Sequence, residues 1–145
     1  MMYKLSTNGL NFIKSFENLR LETYRCSAGV LTIGYGHTGK DVKVGMRITE
    51  KQALSLLAKD TDFASRYVNS LQIAKTQNQF DALTSFVFNV GCGQMRTSTL
   101  LKRIRQGADE KTIRYEWQRW NKAKGVVQNG LIRRRKEEAD LYFKK

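Results

Sequence analysis

Between Leu19 and Ile48 the hydrophobic pattern changes period, and this constrains the fold more than any other feature of the 145 residues. Tyr24, Val30, Leu31, Thr32, Ile33 and Tyr35 are strand formers, while Gly29, Gly34, Gly36 and Gly39 fall where tight turns need them. The segment predicts a small antiparallel sheet. On both sides of it the apolar spacing is helical.

Ser6 or Thr7 can cap a first helix over 6–16, with Leu10, Ile13 and Phe16 on one face. Thr49 and Gln52 have the spacing of a capping box, in which hydroxyl and amide satisfy each other's backbone N–H groups. Behind them no Gly or Pro interrupts Glu50–Leu71. A continuous helix of that length reaches about 33 Å, longer than one small core requires, so it predicts a helix joining two lobes; a break near Lys59–Asp62 is the alternative. Further helices are expected over Gln77–Val90, Thr97–Arg105 and Leu131–Phe143, with another capped by Asp109 and carrying Ile113, Trp117 and Trp120 on one face. The expected architecture is α+β, a single domain over 1–145. It has a sheet-bearing lobe over 17–48, a connecting helix over 50–71 and a helical lobe over 76–145. The helix over 6–16 is expected to pack on the helical lobe.

Bulk charge narrows the partners without naming one. Lys and Arg number 26 against 13 Asp and Glu, for a net charge of +13. Residues 1–100 carry 12 basic against 7 acidic side chains, and residues 101–145 carry 14 against 6. Such a surface attracts polyanions: nucleic acid, anionic lipid or an acidic wall polymer. No helix-turn-helix, zinc-finger or RNA-binding signature accompanies the charge, which argues against nucleic acid. No apolar run approaches the roughly 18–20 residues of a membrane span, and Met1–Phe16 lacks the apolar core of a signal peptide. A cytoplasmic site of synthesis and no stable membrane association are expected. Two cysteines are too few for a disulfide scaffold, in keeping with a reducing compartment.

The most informative stretch runs from Phe16 to Thr38. Glu17 follows the core-facing Phe16 at the end of the first helix, where partial desolvation would create the environment a general acid needs; a solvated surface carboxylate is the alternative. Eight residues separate Glu17 from Cys26 and five separate Cys26 from Thr32, and then comes Gly34-Tyr35-Gly36-His37. This order and spacing resemble the signature of the phage-type muramidases, the T4-lysozyme-like glycoside hydrolases of lambdoid and P22-like phages. The resemblance extends over nearly the whole chain. Phe80–Gly91 is similar to the family's second-lobe helix, and Trp120-Asn121-Lys122-Ala123 and Gly130–Arg135 are similar to its C-terminal motifs.

The resemblance implies a lysozyme-like fold and hydrolysis of the β-1,4 bond between N-acetylmuramic acid and N-acetylglucosamine in peptidoglycan, with inversion at the anomeric carbon. Glu17 is then the general acid, and Cys26 with Thr32 positions the attacking water. Inversion requires room for that water, roughly 6.5–9.5 Å between the acid and base groups. Cys26 departs from the Asp that many relatives carry; a thiol with a pKa near 8.5 is only slightly ionised at neutral pH unless its surroundings favour the anion. Phe88, Asn89 and Arg119 match positions that line the family's substrate cleft, and Arg119 can meet a peptide-stem carboxylate. His37, the sole histidine, is expected to be structural. The same holds for Cys92, although a disulfide to Cys26 and a site shared by Cys26, Cys92 and His37 for a metal are weaker alternatives. Arg133–Lys136 followed by Glu137 and Glu138 reads as a self-neutralising helix start. No metal or cofactor is implied. The expected protein is a monomeric endolysin that waits in the host cytoplasm, depends on a separately encoded holin and acts on the wall in the periplasm. The alternative is a relative that binds peptidoglycan or another polyanion with little or no turnover.

Overall fold

The computed structural model describes residues 2–145, and they form two compact units. One contains Leu10–Asp62; the other combines residues 2–9 with Phe63–Lys145.

The first unit carries the sheet. Helix α1 (Thr7–Lys14) contributes Ile13, fully buried, to its core. Strands β1 (Arg20–Arg25) and β2 (Leu31–Gly34) pair antiparallel, with Tyr24 opposite Thr32 and Arg25 opposite Leu31. Glu22 bridges Arg47, so a loop returns along the outer edge of β1. Helix α2 (Glu50–Asp60) begins with the expected box: the Gln52 N–H donates to Thr49 Oγ1 and the Thr49 N–H donates to Gln52 Oε1. Its Ala53 and Leu57 pack towards β2, where Ile33 is completely buried, and Ile48 and Tyr35 close the cluster.

Residues 50–71 form two helices. Thr61 ends α2 in a helical conformation, donating its N–H to Leu57 and its hydroxyl to the Ala58 carbonyl, and α3 (Asp62–Leu71) follows at once. A hydroxyl that bonds back to the preceding turn competes with the ladder and bends or breaks a helix there.

The second unit is helical: α4 (Gln77–Val90), α5 (Cys92–Arg96), α6 (Thr99–Arg105), α7 (Glu110–Gln118) and α8 (Asn129–Phe143). Thr76, Ser98 and Asp109 cap α4, α6 and α7 with side-chain oxygens. Helix α4 is buried from Phe80 to Val87 and packs on α8; Phe86 meets Trp117 and Trp120 edge-on. A minimal hairpin of β3 (Lys122–Ala123) and β4 (Val126–Val127) turns through Lys124 and Gly125, both at positive φ, the geometry of a type I′ turn. The start of α1 belongs with this unit. Ser6 binds the Asp81 carboxylate through its N–H and hydroxyl, and a side chain at Gly9 would begin 2.5 Å from Asp81 Cγ, so only glycine fits. The first helix is therefore divided: its first turn groups with the helical unit and Leu10–Lys14 with the sheet.

The basic run lies inside α8, which begins at Asn129; Arg133 and Lys136 are exposed and the two arginines between them are structural. Arg134, Arg135 and Glu138 are buried, 4%, 1% and 0% exposed. Glu138 accepts from Ser85 Oγ at 2.6 Å, Trp117 Nε1 at 3.0 Å and Arg135 Nη2 at 2.9 Å. Arg135 Nε lies 2.8 Å from Glu138 Oε1 but is not aligned as a hydrogen bond. Burial is the largest influence on the Arg135 guanidinium and lowers its pKa against the pull of Glu138.

Candidate active site

Glu17, Cys26 and Thr32 all belong to the sheet-bearing unit. Helix α1 ends three residues before Glu17. The chain then tightens into turns in which the Phe16 N–H donates to Ile13 and the Glu17 N–H to Lys14. Glu17 is half-buried, and the point where a side chain on Gly36 would begin is 4.0 Å from its Oε2. Gly36 takes φ +86°, so the turn that faces the carboxyl favours a residue without a Cβ. The turn is closed by Ile33 and His37, which exchange backbone hydrogen bonds of 2.9 and 2.8 Å.

Cys26 sits where β1 gives way to the loop before β2. Its N–H donates to the Val30 carbonyl at 3.0 Å, and its carbonyl accepts from the Gly29 N–H at 2.8 Å. Arg25 Nη1 donates to the Gly29 carbonyl at 2.9 Å. This tight loop aims backbone donors at the sulfur. The Val30 N–H, then the Ala28 N–H, hold the Cys26 thiol below its ordinary pKa; desolvation opposes them, and the Thr32 hydroxyl adds to the lowering. Thr32 is buried, 3% exposed, and its Oγ1 also lies 2.9 Å from the Val30 carbonyl. The site thus offers a half-buried thiol whose surroundings favour its anion, a buried hydroxyl two residues beyond Val30, and a carboxyl against the Gly36 turn. A carboxyl can give a proton and a thiolate can take one.

His37 lies 2.7 Å from Asp60 through Nδ1 and 2.9 Å from Asp41 through Nε2. Burial disfavours its charge, but Asp60 and then Asp41 outweigh it and raise its pKa. The imidazole ties the Gly36 turn to the end of α2. Sequence reasoning missed both carboxylates, although Asp41 stands four residues from His37 and Asp60 ends the helix capped by Thr49.

The other residues taken from the motif lie in the helical unit. Phe88 is half-buried against that unit's core, its ring 6.2 Å from the Phe63 ring. Asn89 is exposed in the last turn of α4. Arg119 pairs with Glu116 at 2.8 Å, and with Trp120 they border a polar cavity of about 270 Å³ that Thr97, Ser98 and Thr99 complete. Cys26 and Cys92 are both free thiols, and among the described residues no cluster of three His, Cys, Asp or Glu side chains is placed to hold a metal ion.

These elements define a lysozyme-like fold, shared with the endolysin from Escherichia coli O157:H7 phage FAHEc1 (TM-score 0.86, 43% identity, 97% of this chain and 94% of that one). The family model for phage lysozyme matches residues 14–138, and the chain belongs to that family. It is similar to the endolysin of Bacillus phage B103, 43% identical over 142 residues. That match takes in 96% of this chain but spans 54% of the B103 protein. It is similar too to the muramidase domain of SpmX from Asticaccaulis excentricus (TM-score 0.88, 36% identity, 99% of each chain).

Proposed function

We propose that this chain is a peptidoglycan hydrolase cutting the β-1,4 bond between N-acetylmuramic acid and N-acetylglucosamine with inversion. The observation that carries the reading is the cradle around Cys26, where the Val30 and Ala28 N–H groups and the Thr32 hydroxyl favour a thiolate. Glu17 donates its proton to the glycosidic oxygen as the bond from that oxygen to the anomeric carbon breaks. Water held by Thr32 attacks the opposite face of that carbon and gives its proton to the Cys26 sulfur. Transfer of that proton through solvent back to Glu17 restores the starting state. Phe88, Asn89 and Arg119 bind substrate, and the cavity beside Arg119, with its three hydroxyl-bearing side chains, suits a polar, carboxylate-bearing peptide stem. The relatives' printed names support an endolysin acting on the bacterial wall, for which a holin opens the route from the cytoplasm.

Turbidity of chloroform-treated Gram-negative cells tests the assignment. Glu17→Gln and Cys26→Ala are each expected to lower the clearing rate by about 10²–10⁴-fold, the span that a positioned proton donor or acceptor contributes. Cys26→Asp retains much of the activity. Wild-type clearing in Glu17→Gln would falsify the mechanism, and a wild-type chain that binds wall material without clearing it identifies a binder instead.

A further inference from the structure

Strand alternation puts Ile33 on the opposite face of β2 from Thr32. On that reverse face the sheet-bearing unit holds a pocket of about 410 Å³ between β2, the loop before α2, and α2 itself. Its volume lies within the roughly 300–1,000 Å³ of small-molecule sites. Met46, Ile48 and Leu56 form its apolar wall, with the fully buried Ile33 behind them. The lining includes no Phe, Tyr or Trp, and its one ring, the His37 imidazole, is held at both nitrogens by Asp41 and Asp60; branched aliphatic side chains and a thioether suit a saturated alkyl chain.

Charge selects the other end of the occupant. Lys51 and Lys59, both exposed, border the pocket from one side of α2, and the polar Gln52 and Ser55 stand between them. The carboxylate present, Asp41, is already held by His37. Lys51 and Lys59 stand about two helical turns apart, so an ammonium group at either end of the aliphatic pocket can meet an anionic head.

We propose that this pocket binds a medium-chain fatty-acid anion, its alkyl chain against Met46, Ile48 and Leu56 and its carboxylate at Lys51 or Lys59. The occupant would rest against the back of the strand that carries Thr32 and beside His37, and it would raise the melting temperature of the folded chain by mass action.

Titration calorimetry with decanoate below its micelle concentration tests this on the wild-type chain. One saturable site is expected, with decanol weaker. Lys51→Glu/Lys59→Glu should weaken binding about tenfold, as two opposite charges become two like ones. Ser55→Trp, at an exposed position that leaves the core intact, should plug the mouth and abolish both the binding heat and the thermal shift. Lys102→Glu/Arg105→Glu removes equal charge from α6 and should change neither. The proposal is overturned by absent or non-saturable binding to the wild type, by equal weakening in the α6 variant, by unchanged binding in Ser55→Trp, or by decanol binding as tightly as decanoate.

Discussion

A thiol becomes a better base at neutral pH when its anion finds donors that its neutral form cannot use as well. The backbone around Cys26 supplies them. With Glu17 working as the acid and the thiolate as the base, the lysis rate is bell-shaped in pH, because each group serves in one protonation state only. Cys26→Asp replaces a thiol limb by a carboxylate limb, so the bell narrows and its alkaline side moves to lower pH. A pH–rate profile of the two proteins checks this, and superimposable profiles would remove Cys26 from the chemistry. His37 makes a prediction about stability. Its pKa is raised, so its charge contributes stability in full below about 6.5, and the contribution is lost as pH rises through the raised value. Asp41 is lowered, first by His37 itself, so its share disappears only in acid, as pH falls through the depressed value. The melting-temperature gap between wild type and His37→Asn should be widest between those limits, a few degrees for a chain this size, and should close on the alkaline side. A gap that does not vary with pH would show that the imidazole acts by packing alone.

Local chemistry decides some elements, and distant partners decide others. The Thr49–Gln52 box and the Asp109 cap were legible because each is completed within one helical turn. The small antiparallel sheet was legible from its residue types and glycines. For the candidate site, residue identity and spacing were readable, but the amides of Ala28 and Val30 carry no side-chain signature, and the partners of His37 come from separate elements. Four basic residues followed by two acidic ones read from the sequence of α8 as pairing among themselves at a helix start. Their burial depends on Ser85 in α4 and Trp117 in α7, which no local pattern announces. Hairpin β3–β4 is too short to establish a period. The α8 cluster carries a prediction at this scale. Glu138→Ala leaves two guanidinium groups buried without their carboxylate and should cost about 3–5 kcal/mol. Arg133→Ala, which breaks the exposed pair with Glu137, should cost less than about 1 kcal/mol. Urea titrations measure both, and similar losses would contradict the buried-network account.

At the scale of the whole molecule, the net charge of +13 acts on encounter rather than on chemistry. An anionic wall draws such a protein from beyond contact distance, and salt shortens that reach to about 10 Å near 0.1 M. Clearing of whole wall material should therefore slow steeply as salt rises through this range, while turnover of a small uncharged glycan fragment changes little. Parallel loss on both substrates would place the salt effect in the site itself.

The hydroxyl hydrogen of Thr32 goes to the Val30 carbonyl, 2.9 Å away, while the same hydroxyl also favours the Cys26 anion. It can serve only one at a time. In the proposed cycle the rotor swings towards sulfur when sulfur is negative and returns to the carbonyl once sulfur has taken its hydrogen. On that mechanism Thr32 would act as a latch reset in each cycle, and Thr32→Ser is expected to keep the clearing activity that Thr32→Val loses.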